Sequence, residues 1–160
     1  MALRSLALAL CIACSASEPV EPASTQKRIV SLSPALTDTI LALGAGDELV
    51  GISQYCSAPK GVDMPRLGGV QDLPLEALIR LKPTVIVTAD SKHGPAEKLK
   101  KSGLRVETFS EGRLSQILEG FEQMGRLVGR QKQGQELRQT IQSRLESLQP
   151  KIKNSNNKTL

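Results

Sequence analysis

Aromatic side chains are nearly absent from this sequence. Among its 160 residues it has no tryptophan, one tyrosine (Tyr55) and two phenylalanines. Proteins that bind single-stranded nucleic acids stack the bases on several aromatic rings, and this chain has too few rings for such a surface. The formal net charge is +5, but acidic residues are interleaved with the basic ones and no dense basic block is formed. We therefore expect no nucleic-acid partner.

Histidine is equally scarce, since His93 is the only one. A serine hydrolase triad would need His93 as its base, with Ser91 or Ser33 as the nucleophile. The sequence has neither the Gly-x-Ser-x-Gly turn that exposes such a serine nor a Walker-type phosphate loop. His93 and Asp90 together give only two candidate ligands, which make a weak zinc site. These absences argue against an enzyme and against a bound metal or cofactor.

Cysteine is also rare, and two of the three cysteines lie in an N-terminal stretch typical of an export signal. In residues 1–17, Arg4 supplies a positive charge, a short apolar run follows it, and small residues end the segment. The Ile-Ala-Cys sequence that ends at Cys14 resembles a bacterial lipoprotein signal, in which that cysteine becomes the lipidated first residue. Ordinary cleavage near residues 16–17 is the alternative. Both interpretations predict export to the periplasm or the cell surface.

Residues 18–27 are rich in Pro, Ser and Glu and show no apolar period. This composition predicts a flexible tether between the signal and the folded part. Once a signal ending at Cys14 is removed, Cys56 is the one remaining thiol that could pair, and it has no intrachain partner. A structural disulfide is therefore not expected in the mature chain.

Residues 28–46 predict a buried strand followed by a helix. Residues 29–32 form a short apolar run, rich in β-branched side chains, of the kind found in parallel strands. Ser33 is expected to cap the helix by accepting a hydrogen bond from a free backbone N–H, and Pro34 suits the first helical position. Apolar residues at helical spacing follow, and Gly44 is a natural stop.

Further strands and helices alternate along the chain, which is typical of an α/β fold with a parallel sheet flanked by helices. Predicted strands span 48–53, 84–88 and 104–109, and predicted helices span 74–81, 95–102 and 114–128. A long amphipathic helix follows from residue 131 and is expected to end at Pro150. We therefore predict a single Rossmann-like lobe over residues 28–129, a backbone helix over 130–150 and a patternless tail over 151–160.

Polar residues follow each predicted strand. Ser33, Tyr55, Asp90 and Ser110 occupy these positions. Because right-handed crossovers place the carboxyl ends of parallel strands at one edge of a sheet, we expect these four residues to lie near one another. Ligands of α/β proteins bind at this edge, so the sequence predicts a binding site there.

A set of motifs runs in a fixed order through residues 28–130. They are RIVSLSP with Thr37, Asp38 and LALG behind it, then ELVGISQYC, PRLGGVQDLPLEALIRLKPTVIV and LSQILEGFEQMGRLVGR. Together they resemble the class III periplasmic substrate-binding proteins, which are the receptors of ABC importers for iron-siderophores, haem and cobalamin. The resemblance covers roughly residues 28–149.

This resemblance implies a fold of two α/β lobes joined by one long helix, with the ligand bound between the lobes and not chemically converted. The sequence resembles the first lobe and the joining helix, so we expect a receptor truncated to one lobe. Its implied partners are a metal chelate (ferric siderophore, cobalamin or haem), the ABC permease, and the membrane through a lipid anchor. The alternative is a single-lobe binding or adaptor module without a transport role, and a small exported hydrolase is the third hypothesis.

The resemblance also implies which residues contact the ligand. Tyr55 falls where cobalamin-binding members have a ligand-contacting aromatic residue. Val70 and the turn at Asp90 fall near positions where those members place tryptophans against the corrin ring. With the turn before the first helix and the glycine pair, the expected ligand contacts are Ser33, Pro34, Tyr55, Gly69, Val70 and Asp90.

Two further residues have implied roles outside the ligand contacts. Glu76 lies in the PLEAL motif and matches a family position whose carboxylate meets arginines of the transport permease. Cys14 is the implied site of lipidation. Neither a catalytic residue nor a metal ligand is implied for this chain.

Overall fold

The protein folds around a four-stranded parallel sheet. The computed structural model describes residues 26–69, 72–90 and 94–156. The strands are β1 (Ile29–Ser31), β2 (Leu49–Ile52), β3 (Val85–Ala89) and β4 (Val106–Phe109). They are ordered β2-β1-β3-β4, and all neighbouring pairs are parallel. The predicted strands are confirmed to within two residues at each end.

Helices cover both faces of the sheet. In the described part of the chain they are α1 (Pro34–Ala42), α2 (Leu75–Arg80), α3 (Ala96–Lys101), α4 (Leu114–Leu127) and α5 (Gln131–Asn156). Strand and helix alternate from β1 to α4, so each strand is joined to the next one in the chain by a crossover over one face of the sheet. The predicted α/β class, with a long helix after the lobe, is confirmed.

The sheet separates two apolar cores because successive side chains of a strand point to opposite faces. One core joins the sheet to α1, α4 and α5 and includes the buried residues Ile29, Ile40, Val87 and Met124. The other joins the sheet to α2 and α3 and includes Val30, Leu78, Ile86 and Leu99. With cores on both faces, the strands need apolar residues at consecutive positions, which is the pattern that the sequence shows.

Glycines with positive φ follow α1, α3 and α4 (Gly44, Gly103 and Gly129), as the sequence predicts. Gly44 follows α1 with φ +72° and Gly129 follows α4 with φ +68°, a left-handed conformation that glycine adopts without strain.

The predicted end of the last helix is wrong, since α5 continues through Pro150 to Asn156. Proline removes one helical hydrogen bond and bends a helix, but it does not have to terminate it.

The loop between β2 and α2 runs along the outer edge of the sheet. The N–H of Ile52 donates to the carbonyl of Pro65 at 3.0 Å, and the N–H of Leu67 donates to the carbonyl of Ile52 at 2.9 Å. The N–H of Gln54 then donates to the carbonyl of Gly68 at 2.9 Å. These bonds pair the carboxyl half of β2 as a short fifth strand would, so this part of the edge is covered.

Several predictions concern residues outside the described ranges. They are the export signal over 1–17 with Cys14, most of the tether over 18–27, and the residues Val70 and His93. Among the helices of the described ranges, none has the length and apolar character needed to cross a membrane.

Candidate functional site

The carboxyl ends of the four strands bring polar residues to one edge of the sheet. Ser33 follows β1, Tyr55 follows β2, Asp90 follows β3 and Ser110 follows β4. The N–H of Asp90 donates to the carbonyl of Phe109 at 2.7 Å, which joins the turns after β3 and β4. The structure thus places the predicted turns at a common edge, and their role in binding stays a prediction.

A buried polar cluster lies at the centre of this edge. The hydroxyl oxygens of Ser31 and Thr37 are 2.8 Å apart, and they lie 3.2 Å and 3.0 Å from the carbonyl oxygen of Ser33. Ser31 and Thr37 are fully buried, so their hydroxyls need internal partners. The cluster therefore fixes the turn between β1 and α1, and with it the position of Ser33.

Ser33 lies before α1 in the extended conformation of a capping residue, with φ −125° and ψ 133°, but its side chain makes no capping bond. Its hydroxyl donates instead to Oε1 of Glu111 at 2.7 Å. The capping prediction is wrong because the side chain turns toward this carboxylate, and a hydrogen bond to a charged acceptor is stronger than a neutral one. The prediction that Pro34 starts the helix is confirmed.

Glu111 is a residue of this edge that the sequence pattern did not reveal. It lies in the exposed loop after β4 and reaches back to Ser33, which is 78 residues earlier in the chain. Its carboxylate links the loop after β4 to the turn after β1. The sequence signal that could have found it is the polar turn after β4, of which only Ser110 was singled out.

Tyr55 is the most exposed large side chain at this edge, with 69% of its surface accessible. Its ring lies beside Gly69, where an added Cβ atom would be 3.5 Å from Cε2 and 3.6 Å from the hydroxyl oxygen. Nη1 of Arg66 donates to the carbonyls of Gln54 and Cys56 at 3.2 Å and 2.9 Å. Tyr55 is thus an aromatic ring that faces solvent from a well-anchored turn.

The other predicted residues are distributed as follows. Gly69 lies against Tyr55, whereas Asp90 is exposed at the end of β3. Val70 lies outside the described residues. Glu76 is exposed in the first turn of α2.

An apolar cavity of about 400 Å³ opens beside the edge, between α1 and α4. Apolar side chains dominate its wall, among them Leu36, Phe109, Ile117 and Phe121. Ser110 and Glu111 also line it, so the cavity adjoins the polar edge. A ligand at the edge would therefore meet hydroxyl and carboxylate groups beside an apolar surface.

The opposite edge of the sheet carries a carboxyl group with a shifted pKa. Burial raises the pKa of Glu48, and the nearby positive charge of Lys27 opposes that rise. Glu48 directly precedes β2, so it lies at the amino edge of the sheet, away from the candidate site.

Across the described residues, no group of three or more His, Cys, Asp or Glu side chains is placed to hold a metal ion.

Comparison with known protein families identifies the family of this chain. A sequence profile described as "Periplasmic binding protein" matches residues 29–160, which is most of the chain. The chain belongs to the periplasmic binding protein family. The family resemblance of the ordered motifs is thereby confirmed, and membership of a periplasmic family agrees with the predicted export.

Curated relatives match over most of this chain but only part of their own length. It is 30% identical over 132 residues to the ABC transporter substrate-binding lipoprotein YvrC of Bacillus subtilis, covering 79% of this chain and 42% of that protein. It is 29% identical to a vitamin B12-binding protein of Vibrio parahaemolyticus, covering 85% of this chain and 48% of that one. The chain thus spans about half the length of the curated relatives it matches.

Two solved structures also match most of this chain and about half of their own length. The periplasmic haem-binding protein HutB of Vibrio cholerae superposes with a TM-score of 0.71 at 28% identity, over 79% of this chain and 51% of that chain. The vitamin B12-binding protein BtuF of Vibrio cholerae superposes with a TM-score of 0.69 at 27% identity, over 78% and 50%. The relatives named here are binding proteins.

Proposed function

We propose that this chain is the ligand-binding lobe of a receptor for an ABC importer, and that it binds a metal chelate without converting it. Family membership supports a binding role, and the convergence of Ser33, Tyr55 and Asp90 at one sheet edge supports the location of the site. Ligands of open α/β sheets bind at the carboxyl ends of the strands, which is where these residues lie.

The observation that carries the ligand class is the exposed ring of Tyr55. An aromatic side chain with 69% of its surface exposed offers a flat apolar face to a partner. Relatives named for binding vitamin B12 or haem take flat metal-containing macrocycles. The ring of Tyr55, with the backbone of Gly69 beside it, is suited to contact with such a face.

The proposed partners and location follow from the same family. The receptor would be exported and attached to the membrane through a lipid on Cys14, as the lipoprotein name of the Bacillus subtilis relative supports. It would deliver its ligand to a membrane permease, with Glu76 among the docking residues. Glu76 is exposed on α2, so its carboxylate is accessible for such contact.

The test is a binding titration of the purified chain with cyanocobalamin, haemin and a ferric siderophore by equilibrium dialysis. We expect saturable binding of one of these chelates. Replacement of the ring by Tyr55→Ala should weaken binding by roughly two- to tenfold, the equivalent of an aromatic contact of about 0.5–1.5 kcal/mol.

The controls separate loss of the ring from loss of exposed apolar surface in general. Tyr55→Phe retains the ring and should bind nearly as well as the wild type. Ile79→Ala removes an apolar side chain of comparable exposure (49%) on α2 and should leave binding unchanged. Absence of saturable binding to all three chelates, or equal affinities of the Tyr55→Ala and wild-type chains, would contradict the proposal.

A further inference from the structure

Arg66 lies alongside the turn that bears Tyr55 because the preceding loop pairs with β2. Ile52 is hydrogen-bonded to Pro65 and to Leu67, the residues on either side of Arg66. These bonds place Arg66 opposite Ile52, in the register of a parallel bridge. From this position the guanidinium group of Arg66 extends toward the carboxyl end of β2. The arginine is exposed, so it is not held there by burial.

One nitrogen atom of Arg66 contacts the backbone on both sides of Tyr55. Nη1 donates to the carbonyl of Gln54 at 3.2 Å and to that of Cys56 at 2.9 Å. A terminal guanidinium nitrogen carries two hydrogens, so one atom satisfies both carbonyls at once. The group stays charged at any physiological pH, which strengthens both bonds.

The rest of the turn is anchored independently of Arg66. The N–H of Cys56 donates to the carbonyl of Ser53 at 3.1 Å, and the N–H of Gln54 is bonded to Gly68. The Cys56 sulfur is buried 3.2 Å from the hydroxyl oxygen of Ser53. Loss of the guanidinium would therefore expose two carbonyls to water while the turn itself stays folded.

We propose that Arg66 is a positioning residue that restricts the motion of Tyr55 and so pre-organises its ring for the ligand. The inference rests on the proposed function, since it assigns Arg66 a role in the binding made by Tyr55. A ring whose flanking backbone is already fixed loses less conformational entropy when a ligand contacts it. Arg66 itself need not touch the ligand.

The chain offers a clean optical probe for this proposal. Tyr55 is its only tyrosine and it has no tryptophan, so the intrinsic fluorescence near 300 nm reports on Tyr55 alone. The test compares the purified wild-type chain with the Arg66→Gln and Arg66→Lys variants. It measures tyrosine anisotropy, acrylamide quenching, thermal midpoint, and the dissociation constants for cyanocobalamin, haemin and a ferric siderophore.

We expect Arg66→Gln to lower the anisotropy of Tyr55, raise its quenching by acrylamide, and weaken binding of the chelate by roughly three- to tenfold. Arg66→Lys should lie between Arg66→Gln and the wild type, because an ammonium group can bond one carbonyl but lacks the planar fork. The matched control is Arg80→Gln, which removes an exposed arginine on α2 and should change none of these values. The thermal midpoints should stay similar throughout, which separates positioning from a loss of folding.

The outcomes distinguish this proposal from the proposed function. Unchanged anisotropy and quenching in a folded Arg66→Gln chain would overturn the positioning role, and so would lower anisotropy with unaltered chelate affinity. If the Arg66→Gln chain shows a more mobile ring but the wild type binds none of the three chelates, the restriction of Tyr55 stands and its link to chelate binding is refuted. That last result would count against the proposed function rather than against the contact itself.

Discussion

Individual side chains at the two edges of the sheet are held by different kinds of contact. At the carboxyl edge, the hydroxyl of Ser33 donates to the carboxylate of Glu111, and the buried hydroxyls of Ser31 and Thr37 satisfy each other. At the amino edge, Oε2 of Glu48 is buried without a hydrogen-bond partner in the described residues. A buried carboxylate without a direct partner favours its protonated form, which gives this edge a measurable pH dependence.

Glu48 should make the protein less stable as the pH rises through its titration range. Burial raises its pKa in the folded state, so the folded chain binds the proton more tightly than the unfolded chain. The free energy of unfolding should therefore fall as the pH rises from the ordinary glutamate pKa to the raised one. Glu48→Gln should remove this fall and stabilise the protein at neutral pH. Urea unfolding at intervals from about pH 4 to about pH 8 measures the effect.

The control for this prediction is Glu119→Gln, which replaces an exposed carboxylate on α4. The Glu119→Gln chain should keep the wild-type pH dependence. If the Glu48→Gln chain also keeps it, the burial of Glu48 has no energetic consequence and the prediction is wrong.

At the scale of elements, α4 and α5 cross with almost no side chain between them. A Cβ atom added at Gly125 would be 2.9 Å from the carbonyl oxygen of Arg130 and 3.0 Å from Cα of Gly134. Beside this crossing, Nη1 of Arg138 donates to Oε1 of Glu122 at 2.8 Å. Close backbone contact and an ion pair between the helices thus fix α5 to the lobe.

Gly125→Ala should destabilise the protein although it improves helix propensity. The new methyl group has no space, and overpacking of this kind costs about 1–3 kcal/mol, against a propensity gain of roughly 0.5–1 kcal/mol. Gly120→Ala is the matched control on the same helix, because its Cβ would lie an ordinary 3.7 Å from Phe109. That variant should be up to about 1 kcal/mol more stable than the wild type. Urea unfolding measures both variants, and the prediction is wrong if their free energies of unfolding change in the same direction.

Sequence patterns predict the elements of this protein better than they predict its site. Strands and helix ends follow from local rules, such as the need for glycine at Gly44 and Gly129. Ser33 is different, because its partner Glu111 comes from a loop 78 residues away. Arg66 bonds to Gln54 and Cys56 within its own loop, and periodicity does not predict how such a loop folds back on itself. The same limit hides the role of Glu111 from the sequence. Pro150 has a different cause, since the local rule for proline describes a cost and not a stop, and α5 continues past it.

At the scale of the whole molecule, the path of the chain puts the proposed docking residue on the same side as the candidate ligand site. The loop after β2 leads from the carboxyl edge into α2, and α2 returns to the amino edge where β3 begins. Glu76, in the first turn of α2, therefore lies toward the carboxyl edge. Ligand release and docking would then take place on the same side of the protein.

Glu76→Ala should weaken docking to the permease without changing chelate binding. The proposed role pairs the carboxylate of Glu76 with arginines of the permease, so its loss should slow association and reduce the salt dependence of binding. The measurement is binding of the chain to its permease in lipid nanodiscs at low and moderate salt, with chelate affinity measured in parallel. Glu97→Ala removes the corresponding first-turn carboxylate of α3 and serves as the control. Equal permease binding by the Glu76→Ala and Glu97→Ala chains would refute the docking role.

Because α5 is long, a small change of angle at its crossing with α4 displaces the far end of the helix by several ångströms. The helix has 26 residues, and the contact at Gly134 lies near its start. With a rise of 1.5 Å per residue, the part beyond Gly134 extends about 33 Å, so a tilt of about 5° at the crossing would displace the far end by about 3 Å. Glycines at the crossing hold this tilt to a narrow range, because neither helix can approach or slide without backbone collision. Any structure carried on the far end of α5 would therefore have its orientation relative to Tyr55 set at Gly125 and Gly134.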